Sequence, residues 1–223
     1  MSEHAATLAQ QLQESTRELH QRVERMPVQQ ELARGTLSRE NYIRYLCQML
    51  LIQTQLDTCM GLYRKTIDPG ASLIHDYYFQ SDLVHSDICF LKECSASNNR
   101  NPFLFQDHPI LPETYSFAMA MNRSVSESPI SLLGFLYVFE GSKNGSKFIA
   151  NSLRKSYSLP DGAGVKYFDP YGENQKPYWA AFKESLAALT LTSAESEAIV
   201  EAAKEAFSGM IDITGALQNQ SGS

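Results

Sequence analysis

An all-α, single-domain bundle of several helices is the fold this chain predicts, and three observations carry it. Apolar residues recur with a helical period along most of the 223 residues. Runs of β-branched residues in strict alternation, the mark of half-buried strands, are missing. No internal repeat, low-complexity linker or charge block divides the chain, and its length suits one fairly large domain with a substantial core. The domain is expected to take in residues 1–223, with a core of about 10–217 and a frayed polar end, LQNQSGS.

The elements follow in order. Leu8, Leu12, Leu19 and Val23 recur at spacings of four and seven, one buried face of a first helix over 5–26. Ser38 is a cap signal for a second helix, 39–65, through NYIRYLCQMLLIQTQLDTCMGLYRK. LIHDYYFQSDLVHSDICFLKEC predicts a third, 72–95. A polar loop with Pro102, Pro109 and Pro112 leads to a short fourth helix, 113–126, and SLLGFLYVFEGSKNGSKFIANSLRK belongs to a long fifth, 129–157. SLPDGAGVKYFDPYGENQKP, rich in proline and glycine, reads as a long ordered loop. A sixth helix spans 178–189, and a capping box from Thr192 to Glu195 opens a seventh that runs to 217.

Composition narrows the function classes. Hydrophobic residues make up 43% and charged residues 20%, the balance of an ordinary globular protein. A net charge of -6 argues against non-specific binding to nucleic acid or an anionic membrane, and leaves room for a local basic pocket. Cys47, Cys59, Cys89 and Cys94 form no CxxC pair and sit in apolar helical contexts, as buried free thiols of a reducing compartment do. MSEHAATLAQQLQ has neither a basic start nor an apolar run, and no segment approaches the ~18 apolar residues that span a bilayer. A cytoplasmic, unanchored monomer is the expectation.

Two stretches carry chemistry. In ESTRELHQRVE, His20 follows Leu19 and is rotated ~100° from the apolar face, to its edge. Thr16, His20 and Glu24, each four residues apart, line up along the helix. Such an imidazole is either a pinned structural group or a metal ligand. In FEGSKNGSKF, Gly141 and Gly145 sit within a strongly helical segment, each costing ~1 kcal/mol relative to alanine. Close helix packing explains them, and so does close approach of a flat ligand to bare backbone. The two stretches are complementary, because a planar metallocycle needs an axial ligand on one face and a close ceiling on the other. A neutral imidazole is a standard ligand of haem iron, and Glu24 is placed to accept from its other nitrogen and fix the tautomer.

At this point the chain resembles the haem oxygenase family. LQESTRELHQRVE at 12–24 is similar to the family's proximal helix, L-x-E-x-T-x-x-x-H-x-x-x-E, with His20 at the iron-ligand position. GTLSRENYIRYL at 35–46 resembles the segment that follows, G-x-[VL]-[ST]-R-x-x-[FY]. YVFEGSKNGS at 137–146 resembles the distal helix in its bacterial E-G-S-x-x-G form, and AAKEAFSGMIDI at 202–213 the last helix, A-K-x-A-F. The four pieces occur in the family's order over nearly the whole chain. The resemblance implies a helical bundle that holds haem as both cofactor and substrate. Dioxygen and electrons from an external reductase or ferredoxin then open the ring at a meso carbon, giving biliverdin, carbon monoxide and ferrous iron.

The same resemblance assigns roles. His20 becomes the axial ligand, and Glu24 its hydrogen-bond acceptor. Gly141, Ser142, Asn144 and Gly145 become the distal catalytic segment. Phe139 and Phe207, with Tyr137 and Phe135, supply aromatic bulk, and the KYFDPY loop, 166–171, closes one edge. Arg17 and Lys183 become partners for the haem propionates, while Trp179 stands where some members have a second lysine. Ser142 replaces the aspartate of many members, and Met210 an asparagine of some, so the distal face lacks an acid. His4, His75, His85 and His108 are read as structural or surface groups. Three other readings compete. A haem carrier or sensor without efficient turnover is suggested by the missing acid. A non-haem diiron oxidase on the same scaffold has only one suitable pair, Asp82-x-x-His85, against the several it needs. A cysteine-dependent hydrolase lacks a base near any cysteine in sequence.

Overall fold

The computed structural model describes residues 7–65, 70–92 and 105–221. Among them are eight α-helices: α1 (Leu8–Arg25), α2 (Pro27–Arg34), α3 (Arg39–Tyr63), α4 (Ser81–Leu91), α5 (Pro112–Glu127), α6 (Leu132–Ser156), α7 (Gln175–Ala187) and α8 (Ser193–Ser221). No strand occurs among the described residues, so the all-α prediction holds. Nor, among them, is any helix long and apolar enough to cross a membrane.

Local chemistry sets most boundaries. Thr7 and Gln10 form a capping box at the start of α1, and the Ser38 hydroxyl accepts the Asn41 N–H at the start of α3 (3.2 Å). α2 is absent from the sequence-level reading. Its signals are nonetheless local: Pro27 opens it, and Gly35, at φ 67°, closes it in the left-handed conformation. Only eight residues long, it buries Val28 and Leu32, too short a pattern for periodicity to register.

The helix expected at 72–95 is broken. Ala71–Leu73 and Asp76–Tyr78 form single 3₁₀ turns, and α4 begins only at Ser81. The cause is a long-range cap. Asp57 of α3 accepts the N–H groups of Gln80 (3.2 Å) and Ser81 (3.0 Å), which starts α4 there. The fifth predicted helix loses its first residues to a 3₁₀ turn at Pro129–Ser131. α7 starts at Gln175, earlier than expected, because Pro177 lies in the first turn, where its missing N–H costs nothing.

α8 is the platform on which the functional elements stand. Both α1 and α6 pack on it, while α2 and α7 each touch α1 and α6. The α6–α8 crossing depends on Gly134, where a Cβ would collide with the Ile199 carbonyl oxygen and stand 2.9 Å from Ala202 Cβ. α1 and α6 are thereby held side by side, with space between them.

Candidate active-site cleft

That space is a cleft formed by two adjoining cavities, of about 530 and about 420 Å³. His20 and Glu24 of α1, Gly141, Ser142 and Asn144 of α6, and Phe207 of α8 line both. The two stretches singled out in the sequence, more than a hundred residues apart, thus face the same space.

His20 keeps 53% of its side chain exposed and packs edge-on against Phe207, ring centroids 5.6 Å apart. Its Nδ1 lies 3.8 Å from Glu24 Oε1. That is beyond hydrogen-bond reach, so the expected bond from imidazole to Glu24 is not made here. Both side chains are largely exposed, and nothing packs them together.

On the opposite wall the two glycines differ. A Cβ at Gly141 would meet the Trp179 ring at 3.3 Å, so ordinary packing accounts for this glycine. At Gly145 a Cβ would find nothing within 4 Å: the residue presents bare backbone to the larger cavity. Ser142 and Asn144 turn back on their own helix. The Ser142 hydroxyl donates to the Phe139 carbonyl (2.8 Å), and the Asn144 amide to that of Gly141 (2.9 Å).

Phe139 is buried, lines the larger cavity and stacks on Phe117. Arg17 lines the smaller cavity with Gln13 and Gln21, and Tyr137 and Trp179 pack together there, centroids 5.4 Å apart. Lys183 is set back: it is exposed, and its ammonium lies 5.5 Å above the Trp179 ring, on which it stacks instead of lining the cleft. Phe135 is wholly buried in the core. His75 stacks on Tyr77, His85 lies 3.7 Å from the Cys89 sulfur, and His108 is buried 3.4 Å from Glu40. His4 and Cys94 lie outside the described residues. Among the described residues no three His, Cys, Asp or Glu side chains gather as a metal site would require.

The far end of the cleft is walled by Tyr167 and Phe168 of the KYFDPY loop. Long-range bonds hold this loop. Ser146 donates to the Phe168 carbonyl (2.6 Å), Tyr42 to that of Gly164 (2.9 Å), and the Tyr167 N–H donates to Asp87 Oδ2 (2.8 Å). Burial pushes the Asp87 carboxyl up to about 6, against the pull of the backbone N–H groups around it.

Several lining residues escaped the sequence reading. Gln29 and Ala33 come from the unforeseen α2, and Tyr45 from α3. Lys143 was missed although it lies inside the motif. Its ammonium pairs with Glu140 Oε1 at 2.6 Å, both side chains being 4% exposed, and Tyr171 donates to Glu140 Oε2 at 2.8 Å. The spacing of Glu140 and Lys143, three apart on a helix, was the available signal.

Comparison with known proteins agrees with this architecture. The family model described as heme oxygenase matches residues 6–215. The curated protein Heme oxygenase PigA of Pseudomonas aeruginosa is 27% identical over 213 residues, which cover 92% of this chain and 90% of PigA. Heme oxygenase-2 of Synechocystis sp., solved in complex with heme and NO, superposes with a TM-score of 0.84 at 20% identity, covering 96% of this chain and 86% of its own. Heme oxygenase from Leptospira interrogans gives 0.82 at 19% identity, over 95% and 100%. At these identities the structural likeness speaks for the fold.

Proposed function

We propose, from the premise that this chain belongs to the haem oxygenase family, that it binds haem in the cleft between α1 and α6. There it opens the ring at a meso carbon to biliverdin, carbon monoxide and ferrous iron. The observation that carries the reading is the pairing of an exposed imidazole, His20, with the bare backbone of Gly145 across one cavity.

The residues present fit a flat tetrapyrrole. A missing Cβ that no side chain accounts for leaves room for a ring to approach the main chain of α6. Aromatic rings at Phe139, Phe207 and Phe168 offer apolar contact surface. Haem, when bound, supplies the redox-active iron at which dioxygen is reduced with electrons from an external reductase or ferredoxin.

The chain's own residues then divide the work. His20 would hold the haem iron through an imidazole nitrogen, and Phe207, edge-on to that ring, would restrain its tilt. Glu24, 3.8 Å away, closes on the imidazole once the ring is fixed. Arg17 pairs with a propionate at the mouth of the smaller cavity, where Trp179 gives apolar support. Lys183 reaches the second propionate only by leaving the Trp179 ring. The backbone of Gly141–Gly145 limits which ring edge a distal ligand faces, and Tyr167 and Phe168 exclude water from the far end. The reaction runs in the cytoplasm, where Cys47, Cys59 and Cys89, all buried, stay reduced.

One observation favours a second reading, a haem carrier: the Ser142 hydroxyl is committed to the Phe139 carbonyl and no carboxylate stands in its place. A single experiment separates the two. The protein is loaded with haem and supplied with ascorbate or a ferredoxin–reductase pair. Decay of the Soret band with growth of a biliverdin band supports the oxygenase. Haem that survives the treatment intact supports the carrier, and no haem uptake overturns both.

A further inference from the structure

Reduction of oxygen consumes protons, and neither Ser142 nor Asn144 is an acid. We propose that Lys143, fixed on Glu140, is a positioning residue that holds ordered water, and through it the proton supply, at the α6 wall of the cleft. The proposal rests on the haem reading above and concerns residues which that reading leaves without a role.

The pair is unusual for its place. Lys143 and Glu140 are each 4% exposed, on a helix whose other buried positions are apolar or small. A buried ion pair is seldom more stable than apolar side chains of the same volume, so stability alone does not account for it. An ammonium carries three N–H donors, and Glu140 takes one of them, at 2.6 Å.

Near the pair lie two buried side-chain oxygens without a hydrogen-bond partner, Gln53 Oε1 and Gln80 Oε1. Hydrogen bonds tie their side chains to Glu140 and to the cavity wall. Gln80 donates to the Tyr171 hydroxyl (2.5 Å), which donates to Glu140 (2.8 Å). Gln53 donates to the Tyr167 hydroxyl (3.4 Å), and Tyr78 feels the charge of Glu140. Buried polar atoms left over by the protein are where ordered water sits. Lys143 and Tyr167 both line the larger cavity of the cleft.

Lys143 is faced by Glu140 on its own helix, by Asp57 of α3 and by the Tyr171 ring, 5.6 Å from its ammonium. Tyr77 and Tyr78 of the 3₁₀ turn and Tyr167 of the loop lie within the field of Glu140. Burial works against the ammonium, while the two carboxylates favour it.

The test uses the Lys143→Met/Glu140→Gln double variant, in which both charges vanish together and no buried carboxylate is orphaned, beside Lys143→Arg. The acid–alkaline transition of the ferric haem complex and the C–O stretch of its ferrous carbon monoxide complex are read for each. The double variant should bind haem with a wild-type Soret band yet raise the alkaline midpoint by about one pH unit, a tenfold change in proton affinity. Its C–O stretch should also shift, and Lys143→Arg should restore most of both signals. A folded, haem-loaded double variant with wild-type midpoint and stretch overturns the proposal. A crystal structure of the wild-type apoprotein decides it independently of any variant or of haem. Water bonded to Lys143 Nζ is expected, and an ammonium with no water on it overturns the proposal. Failure of the wild type to take up haem would instead overturn the reading of the preceding section.

Discussion

Two residues carry most of the proposed function, and each makes a separable prediction. His20 is packed only edge-on against Phe207 and is otherwise open to the cleft, so its loss should leave the fold intact. His20→Ala should keep the wild-type circular dichroism and lose the imidazole signature of the ferric haem spectrum. An unchanged spectrum would remove His20 as ligand. Gly145 offers a contrast of signs. Since a Cβ there meets nothing within 4 Å, Gly145→Leu should raise the thermal midpoint of the apoprotein, helix propensity contributing up to about 1 kcal/mol. The same side chain enters the cleft and should weaken haem binding by at least about tenfold, the equivalent of ~1.4 kcal/mol. A variant that gains stability and binds haem normally would show that the ring does not approach this part of α6.

At the scale of elements, two junctions position the cleft. One is the α6–α8 crossing. Gly134→Ala gains about 1 kcal/mol of helix propensity but forces a methyl into the Ile199 carbonyl. Overpacking of this kind costs up to ~3 kcal/mol, so the net effect should be a lower denaturation midpoint. The other junction is the loop that Asp87 ties down. Its carboxyl is raised from the ordinary ~3.9 to about 6 in the folded protein. The folded state therefore binds this proton more tightly than the unfolded chain, and stability falls as pH rises from about 4 to about 6. Above that window the full cost, on the order of 2–3 kcal/mol at most, is in place. Asp87→Asn keeps an acceptor for the Tyr167 N–H without the charge. It should flatten this part of the stability profile and leave the protein no less stable at pH 7. Urea denaturation at stepped pH checks both statements.

For the whole molecule, ligand linkage is the measurable consequence of a cleft that only the folded state possesses. Haem at a hundred times its dissociation constant should stabilise the protein by about 2.7 kcal/mol, a rise in thermal midpoint of roughly 5–10 °C for a chain of this size. The rise should scale with haem concentration in the wild type and be smaller in His20→Ala. Superposable wild-type curves with and without haem would contradict the assignment of the cleft.

What the sequence determined by itself was everything that depends on near neighbours along the chain. The 3.6-residue period of Leu12, Leu19 and Val23, the cap at Ser38 and the box at Thr192 specify helices through interactions spanning a few residues. The motif of the first helix and the glycines of the sixth were legible for the same reason. The tertiary structure alone decided which of these meet. That Asp57 caps α4 from another helix, that Trp179 covers Gly141 while Gly145 stays bare, and that Glu140 and Lys143 are buried together follow from how helices are juxtaposed. Burial and long-range contact are properties of the packed whole, and a local pattern carries no record of which distant side chain will arrive opposite it.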